Sequence, residues 1–289
     1  MKLRHIHLKP LTPYTTASAL QDTLRRSLLS SKENPSTAPP PPPTILSFTP
    51  PPTYTLGRRQ TLPLPPPSES RLTAPLTTSL GTFTPSLISS PRGGLTTYHG
   101  PGQVVLWPVI DIHSAHHKQF TVRSYACLLE KTTIAVLRDL FGLEGFTTSD
   151  PGVWLRSATD KKERKVAAMG VHLRRHVTGL GTAVNLDFPP PTTATGGGTK
   201  DEGEEGWNPW ARFVPCGLEG KEATSVAREV EGLAVGGAGR DKGGLLSGAV
   251  KDGEEGKVAR AWAEEFARRI GVESVESVDL AEGSGDYNL

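Results

Sequence analysis

A glycine-rich run at residues 92–103 is the feature of this sequence that most constrains its fold. The run reads RGGLTTYHGPGQ, with four glycines among twelve residues, and the apolar run Val104–Ile112 follows it directly. Glycine lets the main chain adopt positive φ values and lets another group approach the backbone closely. Arg92, Tyr98 and His99 add a charge, a hydroxyl and an imidazole to the same loop. The sequence therefore predicts that this loop forms one wall of a binding site.

Four short segments downstream extend this pattern. They read GVW at 152–154, KVAAMG at 165–170, GTAVN at 181–185 and FVPCG at 213–217. Together with the glycine-rich run, and in the same order, they resemble the sequence signature of the octanoyltransferases of lipoate biosynthesis, the lipoyl(octanoyl) transferases. Several such elements in one order are far more specific than a single glycine-rich loop.

The resemblance implies catalysis through a thioester. It makes Cys216, between Pro215 and Gly217, the nucleophile that carries the acyl group, and Lys165 the residue that lowers the pKa of this thiol and moves the proton. A thiol can accept an acyl group from a carrier thioester with little change in energy, and an amine can then take it to form a more stable amide. The implied reaction is octanoyl transfer from acyl carrier protein to a lysine, without ATP, a cofactor or a metal.

The same resemblance implies which residues bind the substrate. They are Arg92, Gly93, Gly94, Leu95, Thr96, Thr97, Tyr98, His99, Ala168, Met169, Gly170, Gly181, Thr182 and Ala183. The sequence departs from the family pattern at Leu180, where most relatives have a histidine. Because leucine forms no side-chain hydrogen bond, that role is either dispensable or taken over by a residue such as His99 or Thr182. Asn185 is expected to hold backbone next to the site.

The strand pattern gives an independent reason to examine Lys165. The odd-numbered residues from Lys165 to Leu173 would share one face of a strand, so a lysine begins an otherwise apolar row. A buried ammonium requires a partner, which a carboxylate or a thiolate would supply. Alternatively, Lys165 continues the charged run at 161–164 and extends its ammonium to solvent.

The two cysteines of the chain have different predicted roles. Two thiols cannot build a disulfide scaffold, and they suit a reducing compartment. Cys127 falls inside a predicted helix and is interpreted as a small apolar core residue. Cys216 lies at a Pro-Cys-Gly turn, which is expected to expose its sulfur.

The family that the sequence resembles shares its fold with biotin and lipoate ligases. The implied architecture is a single α/β domain with a mixed sheet flanked by helices, here covering residues 1–289 and carrying low-complexity insertions. Half of the 26 prolines fall within residues 35–67, around Thr44–Phe48, which we predict to be a short strand. Residues 189–206 and 231–257 are rich in glycine and acidic residues, and we predict that both are mobile surface loops.

Apolar residues at helical spacing predict three helices. These helices are expected near residues 16–29, at 121–140 before Gly142, and at 258–270 before Gly271. In the first, Leu20, Leu24 and Leu28 form the apolar stripe, and Ser18 with Gln21 is predicted to form a capping box.

Two other functions compete with octanoyl transfer. The first is an ATP-dependent lipoate or biotin protein ligase, for which the Arg-Gly-Gly sequence at 92–94 would grasp a phosphate. The second is a catalytically dead protein that binds an acyl chain or a lipoyl domain. Ligase chemistry requires no cysteine at position 216, and the pair Lys165 and Cys216 counts against a dead binding protein.

Charge and hydropathy limit the partners. The formal net charge of +2 is too small to indicate nucleic-acid binding, and no apolar stretch reaches the roughly 20 residues that span a bilayer. Arg58–Arg59 and Arg174–His176 are candidates for a basic rim that suits acidic acyl carrier protein. The resemblance further implies acceptor lysines on lipoyl domains of 2-oxo acid dehydrogenase complexes and on the hydrogen-carrier protein of glycine cleavage.

The first 32 residues allow two interpretations. Arg4, Arg25 and Arg26 with only one acidic residue, Asp22, are compatible with a mitochondrial transit peptide. Alternatively, Leu3–Leu8 and the first helix begin the folded domain. We favour a mitochondrial protein, with a cytoplasmic one as the alternative.

Overall fold

The computed structural model describes residues 1–8, 10–36, 40–187, 203–214, 221–235 and 254–278. The strands in these ranges are β1 (Lys2–His7), β2 (Thr44–Phe48), β3 (Thr53–Leu56), β4 (Leu76–Thr78), β5 (Gly81–Phe83), β6 (Ser86–Ser89), β7 (Thr96–His99), β8 (Gln103–Val109), β9 (Val153–Arg156), β10 (Glu163–Arg174), β11 (Val177–Asn185), β12 (Glu222–Ala223) and β13 (Ser274–Val278). The α-helices are α1 (Tyr14–Glu33), α2 (Pro66–Thr73), α3 (Val122–Phe141), α4 (Val226–Val235) and α5 (Glu254–Ile270).

The main sheet is mixed, as predicted. Its order is β12-β10-β11-β8-β2-β1-β13, and β9 pairs with β10 outside this path. β1 runs parallel to β2 and β13, whereas the β10–β11, β11–β8 and β8–β2 pairs are antiparallel. A smaller sheet, β6-β3-β7, carries the middle of the glycine-rich run, and β8 of the main sheet begins at the last residue of that run, Gln103.

Helices cover both faces of the main sheet. On β8, Val104 and Leu106 pack into the core cluster that contains α3 and α5, whereas Val105, Trp107 and Val109 pack with α1. A strand with helices on both faces is apolar at successive positions instead of alternating positions. This two-sided burial explains the unbroken apolar run that follows the glycines.

Helix α3 begins and ends as the sequence predicts. The Thr121 hydroxyl accepts a hydrogen bond from the Ser124 amide, and Gly142 closes the helix with a left-handed φ of 67°. The final helix, α5, likewise ends before Gly271, and the indole of its Trp262 donates to the Thr133 hydroxyl at 3.0 Å. Cys127 lies half-buried on α3.

Helix α1 confirms the leucine stripe but not the capping box. Leu20, Leu24 and Leu28 are buried, as predicted. The helix begins four residues before Ser18, after Pro13, and no side chain caps it. The predicted capping box is therefore wrong because its residues lie inside the helix. Gln21 is instead buried and accepts a hydrogen bond from the Leu180 amide at 3.1 Å.

The predicted insertions are only partly described. Residues 40–67 include β2, the predicted short strand, together with β3. Residues 188–202 and 236–253, which hold most of the two predicted mobile loops, lie outside the described residues. The ends of the second loop are helical, because residues 231–235 complete α4 and residues 254–257 begin α5. The division of the chain into a single domain stays a prediction.

The beginning of the chain forms part of the main sheet. β1 lies between β2 and β13, and α1 packs across the sheet, so Arg4, Arg25 and Arg26 belong to folded elements. These residues therefore belong to the folded part of the chain, as the second interpretation expects. None of the helices that the structure describes has the length and apolar character needed to span a membrane.

Candidate active site

A pocket lies between the glycine-rich run, β10 and β11. It has about 400 Å³ of empty space, part of which is open to solvent. Its lining residues are Tyr14, Arg92, Thr97, His99, Val105, Trp107, Ala168, Met169, Gly170, Leu180, Gly181, Thr182 and Ala183. Most of these contribute apolar side chains or backbone, and a few contribute polar groups. Such a lining suits an apolar ligand whose polar end is held by specific contacts.

Arg92 provides a fixed positive charge at this pocket. Its Nη2 donates to the Thr55 carbonyl at 2.6 Å and to the Thr55 hydroxyl at 3.0 Å, and its Nη1 donates to the Gly93 carbonyl at 3.0 Å. The side chain is buried, and Gly94 turns the loop with a φ of +82°. Thr55 of β3 and Gly93 of the loop therefore hold the guanidinium in one orientation before any ligand binds.

His99 is a neutral imidazole at the same pocket. Its Nδ1 lies 2.8 Å from Gln103 Oε1, and its ring stacks on Tyr14 with 5.6 Å between centroids. Burial lowers the pKa of His99 to about 4; the hydrogen bond with Gln103 acts in the opposite direction, and the charge of Arg92 lowers the pKa further. The ring therefore carries no charge at neutral pH.

Lys165 is buried at the start of β10. Its Nζ donates to the Pro151 carbonyl at 2.9 Å and lies 4.8 Å from the centre of the Trp154 ring. A second ammonium, that of Lys221, lies 4.9 Å from the centre of the same ring. The ammonium of Lys165 is thus held by protein groups, and the alternative in which it extends to solvent is wrong.

A register shift interrupts the alternation that the sequence predicts for β10. Pairing with β9 changes register between Lys165 and Ala167. Val166 and Ala167 are consecutive residues, yet both are fully buried in the same core cluster. The register shift therefore separates Lys165 from the predicted row, whereas the four apolar members of that row, from Ala167 to Leu173, all pack in this cluster as predicted.

Comparison with known proteins identifies the family. The lipoyl protein ligase A/B catalytic domain matches residues 13–195. The probable octanoyltransferase of Schizosaccharomyces pombe is 32% identical over 229 residues, which are 78% of this chain and 86% of the relative. The chain belongs to the octanoyltransferases of this family. It is an acyltransferase.

Other octanoyltransferases match over different shares of their length. The mitochondrial octanoyl-[acyl-carrier-protein]:protein N-octanoyltransferase of Danio rerio is 31% identical, over 79% of this chain and 83% of the relative. Its counterpart in Xenopus tropicalis is 37% identical over 139 residues, which are 48% of this chain and 47% of the relative. The match to the frog protein thus spans about half the length of that protein.

Solved structures of lipoate ligases share the fold. A bipartite lipoate protein ligase of Thermoplasma acidophilum covers 98% of this octanoyltransferase and 88% of its own chain, with a TM-score of 0.56 and 13% identity. The match to lipoate-protein ligase A bound with ATP covers 98% of this chain and 90% of the ligase chain, with a TM-score of 0.54 and 14% identity. At these identities the likeness concerns architecture alone, and it agrees with the ligase-like fold that the sequence resemblance implies.

The structure brings the three predicted substrate-binding segments of this octanoyltransferase together. Residues 168–170 and 181–183 all line the pocket, and so do Arg92, Thr97 and His99. Gly93, Gly94, Leu95, Thr96 and Tyr98 are outside the lining. Cys216 lies outside the described residues.

The β7 strand explains why Tyr98 is separated from its neighbours. Successive side chains of a strand point to opposite faces, and Thr97 and His99 take the pocket face. Tyr98 instead packs against Tyr54 and Trp210, with ring centres 5.4 and 5.9 Å away. Its hydroxyl is therefore directed away from the pocket that His99 lines.

Leu180 lines the pocket with an unusual backbone. Its φ is 60°, and the Gln21 side chain holds its amide. A left-handed conformation costs a non-glycine residue energy, so this contact from α1 fixes a strained position of β11. His99 and Thr182, the two residues expected to take over the role of the family's histidine, line the same pocket.

Sequence reasoning missed several residues of the site. Tyr14 lines the pocket from α1, and Val105 and Trp107 line it from β8, in the apolar run that follows the glycine-rich segment. Val105 and Trp107 belong to the apolar run, where alternation alone assigns them to one face. No local pattern in the sequence indicates that Tyr14 lines the pocket, because its place there depends on how α1 packs.

Gly170 permits a close approach that we expect to be necessary for activity. A Cβ at this position would lie 2.8 Å from Arg92 Cδ, and Arg92 is already held by Thr55. Gly170→Ala should therefore displace the guanidinium and slow octanoyl transfer about 10- to 100-fold. Gly256→Ala is the control, because its Cβ would meet only ordinary contacts at 3.6 Å. Transfer rates and melting temperatures check the prediction, and equal rates in both variants would contradict it.

Proposed function

We propose that this enzyme moves an octanoyl group from the thioester of octanoyl-acyl carrier protein to a lysine of a lipoyl domain, through a thioester on Cys216. The Danio rerio relative, whose name states this acyl donor and a protein acceptor, matches 79% of the chain. The pocket that carries the proposal joins three separate sequence segments around a mainly apolar lining and the fixed charge of Arg92.

The proposed reaction has two steps that balance without a cofactor. The Cys216 thiolate attacks the carbonyl carbon of the carrier thioester, a new C–S bond forms, and the carrier thiol leaves with a proton. The lysine amine then attacks the new thioester, a C–N bond forms, and the enzyme thiol is restored with one proton from the amine. Both steps pass through a tetrahedral oxyanion, which fixed positive charges and hydrogen-bond donors stabilise.

Lys165 is the group that we assign to activation of Cys216. Its buried ammonium favours a neighbouring thiolate over the neutral thiol. The described chain resumes at Lys221, whose ammonium lies over the same Trp154 ring as that of Lys165. Cys216 precedes Lys221 by five residues, and an extended chain of that length spans at most about 18 Å. This chain length is compatible with contact between Cys216 and Lys165.

Two hydroxyls of the pocket suit the polar end of the acyl group. Within the ranges that the structure describes, Thr97 Oγ1 and Thr182 Oγ1 are buried and have no hydrogen-bond partner. Buried hydroxyls normally form hydrogen bonds, so a polar substrate atom between these threonines would stabilise both. We assign the hydrogen-bonding role predicted for Thr182 to this contact.

The predicted basic rim divides into two parts. Arg58 and Arg59 are exposed, and their backbone amides donate to the carbonyls of Arg92 and Gly94 in the glycine-rich run. Arg175, at the turn between β10 and β11, pairs with Glu33 instead. We therefore propose that Arg58 and Arg59 meet the acidic acyl carrier protein, because their charges are exposed next to the pocket.

The acceptors and the location extend the same proposal. The lysines would belong to lipoyl domains of 2-oxo acid dehydrogenase complexes and to the hydrogen-carrier protein of glycine cleavage. Relatives from Danio rerio and Arabidopsis thaliana are named mitochondrial, which supports a mitochondrial location for this enzyme.

One mass measurement separates transfer from the two alternatives. The purified full chain is incubated with octanoyl-acyl carrier protein, and separately with octanoate and ATP, before its intact mass is recorded. A transferase gains one octanoyl group from the carrier without ATP. A ligase, the alternative that the shared fold favours, holds octanoyl-adenylate only when ATP is present. A protein that binds without turnover gains no covalent mass, and either of these last results would reject the proposed transfer.

A further inference from the structure

A chain of buried hydrogen bonds joins His99 to the backbone of Thr224. The Nδ2 of Asn185 donates to the Thr224 carbonyl oxygen at 2.9 Å. The Nε2 of Gln103 donates to Asn185 Oδ1 at 2.9 Å, and Gln103 Oε1 lies 2.8 Å from His99 Nδ1. All four residues are buried, so water does not compete for these contacts.

The Thr224 carbonyl, at one end of this series of hydrogen bonds, sets the direction of every hydrogen bond in the series. A backbone carbonyl only accepts, so Asn185 must direct its NH2 group to Thr224 and its oxygen to Gln103. Gln103 must then direct its NH2 group to Asn185 and its oxygen to His99. Reversing either amide would bring two oxygens together and leave buried groups unsatisfied. His99 Nδ1 therefore carries a proton and donates, which leaves Nε2 without a proton in the neutral ring.

The Nε2 atom of His99 is the polar atom that this arrangement leaves for the pocket. Within the part of the chain that the structure describes, the hydrogen bond of His99 is made by Nδ1 with Gln103, and the ring lines the pocket. Because burial lowers the pKa of the ring to about 4, Nε2 remains an acceptor at neutral pH. His99 is thus unable to donate a hydrogen bond to the oxygen of an acyl group.

We propose that Gln103 and Asn185 are positioning residues, which hold His99 as a hydrogen-bond acceptor for the amine of the incoming lysine. This inference rests on the proposed function. The octanoyl chain and its thioester group have no N–H or O–H donor, whereas the attacking amine has N–H groups. An acceptor that binds one N–H turns the nitrogen lone pair toward the thioester carbonyl before the C–N bond forms and the C–S bond breaks.

The test follows the tautomer of His99 and the two half-reactions separately. In the full chain labelled with 15N-histidine, the resonances of His99 are assigned by their loss in His99→Gln. We expect a protonated Nδ1 and an unprotonated Nε2. Gln103→Met removes the acceptor at Nδ1, so a fraction of the rings should shift to the Nε2–H form. Octanoyl transfer from the carrier to Cys216 should stay within about twofold, and transfer from Cys216 to a lipoyl domain should slow about tenfold.

Two further variants separate positioning from stability. Thr49→Val removes the hydrogen bond of 2.8 Å from Thr49 Oγ1 to the Gln103 carbonyl oxygen. It leaves the side-chain hydrogen bonds of His99, Gln103 and Asn185 intact. It should lower the melting temperature by a few degrees without changing the tautomer or the ratio of the two half-reactions. Asn185→Leu removes the acceptor of the Gln103 NH2 group, so the Gln103 amide is no longer held in one direction by Asn185. Part of the rings should again shift to the Nε2–H form, and the second rate should fall as in Gln103→Met. Asn185→Leu also replaces Gln103→Met if that variant does not fold.

The outcomes distinguish this inference from the proposed function. A wild-type His99 protonated at Nε2 would overturn the inference even if transfer proceeds. Equal slowing of both half-reactions in Gln103→Met would also overturn it, because His99 would then serve the carrier substrate or the fold. If the wild type never gains an octanoyl group, the proposed function fails, whatever tautomer the spectrum reports.

Discussion

Cys216→Ser is expected to fold as the wild type does and to lose octanoyl transfer by roughly 10³-fold or more. A serine alkoxide is much harder to form near neutral pH than a cysteine thiolate, and the proposed thioester is absent from the variant. The expected intact mass after incubation with octanoyl-acyl carrier protein is that of the unmodified chain. Thermal unfolding and initial transfer rates to a lipoyl domain complete the measurement.

Cys127 is the matched control for this result. It is the other cysteine of the chain and lies half-buried on α3. Cys127→Ser should keep the transfer rate within about twofold and should still gain one octanoyl group. Retained activity in Cys216→Ser, or octanoyl found on Cys127, would remove Cys216 from the mechanism.

Helix ends and buried strands are the parts of the fold that the sequence predicts well, because local rules determine them. Thr121 and Gly142 mark the ends of α3, since a hydroxyl cap and a left-handed glycine each satisfy backbone groups that the helix leaves free. The capping box predicted for α1 is wrong, although Ser18 and Gln21 match the local motif, because both residues lie inside the helix. Tertiary packing uses Gln21 instead to hold Leu180, more than 150 residues away.

The candidate site likewise combines residues that the sequence identifies with contacts that only tertiary packing determines. Family motifs identify Arg92, His99 and residues 168–170 and 181–183, all of which meet at the pocket. The motifs do not separate Thr97 and His99 from Tyr98, because only the pairing of β7 with β3 decides which face each side chain takes. The tautomer of His99 depends on hydrogen bonds that run through Gln103 and Asn185 to the Thr224 carbonyl. The spacing of these residues in the sequence does not indicate that they contact one another.

The sequence alone leaves two positions open for the charge of Lys165. The charged run at 161–164 favours an ammonium exposed to solvent, whereas strand alternation favours a buried one. The structure holds the ammonium against the Pro151 carbonyl and the Trp154 ring, and the neighbouring Arg164 is buried between Asp160 and Glu222. Arg164 thus has two carboxylate partners, which offset the cost of burying its charge. The buried ammonium of Lys165 is the charge that we propose favours a thiolate at Cys216.

Lys165→Met is therefore expected to slow alkylation of Cys216 by iodoacetamide at pH 7 by about tenfold and to abolish measurable transfer. Removing the ammonium raises the pKa of a thiol that depends on it, so less thiolate is present at neutral pH. The rates are measured from pH 5 to 10 in a Cys127→Ser background, so that only Cys216 reacts. The alkylation profile of Lys165→Met should move toward higher pH and reach the wild-type rate at its upper end.

Two lysine variants show whether a specific group or a general positive field acts on the thiol. Lys221→Met removes the other ammonium at Trp154, but Lys221 is more exposed and pairs with Asp150, so its loss should change alkylation less than threefold. Lys165→Arg keeps a positive charge but holds its proton at any pH of the assay. It should retain fast alkylation while transfer still falls, because the proton that leaves the amine has lost its carrier. Identical pH profiles for the wild type and Lys165→Met would show that the buried lysine only stabilises the fold, and Cys216 would then need another source of activation.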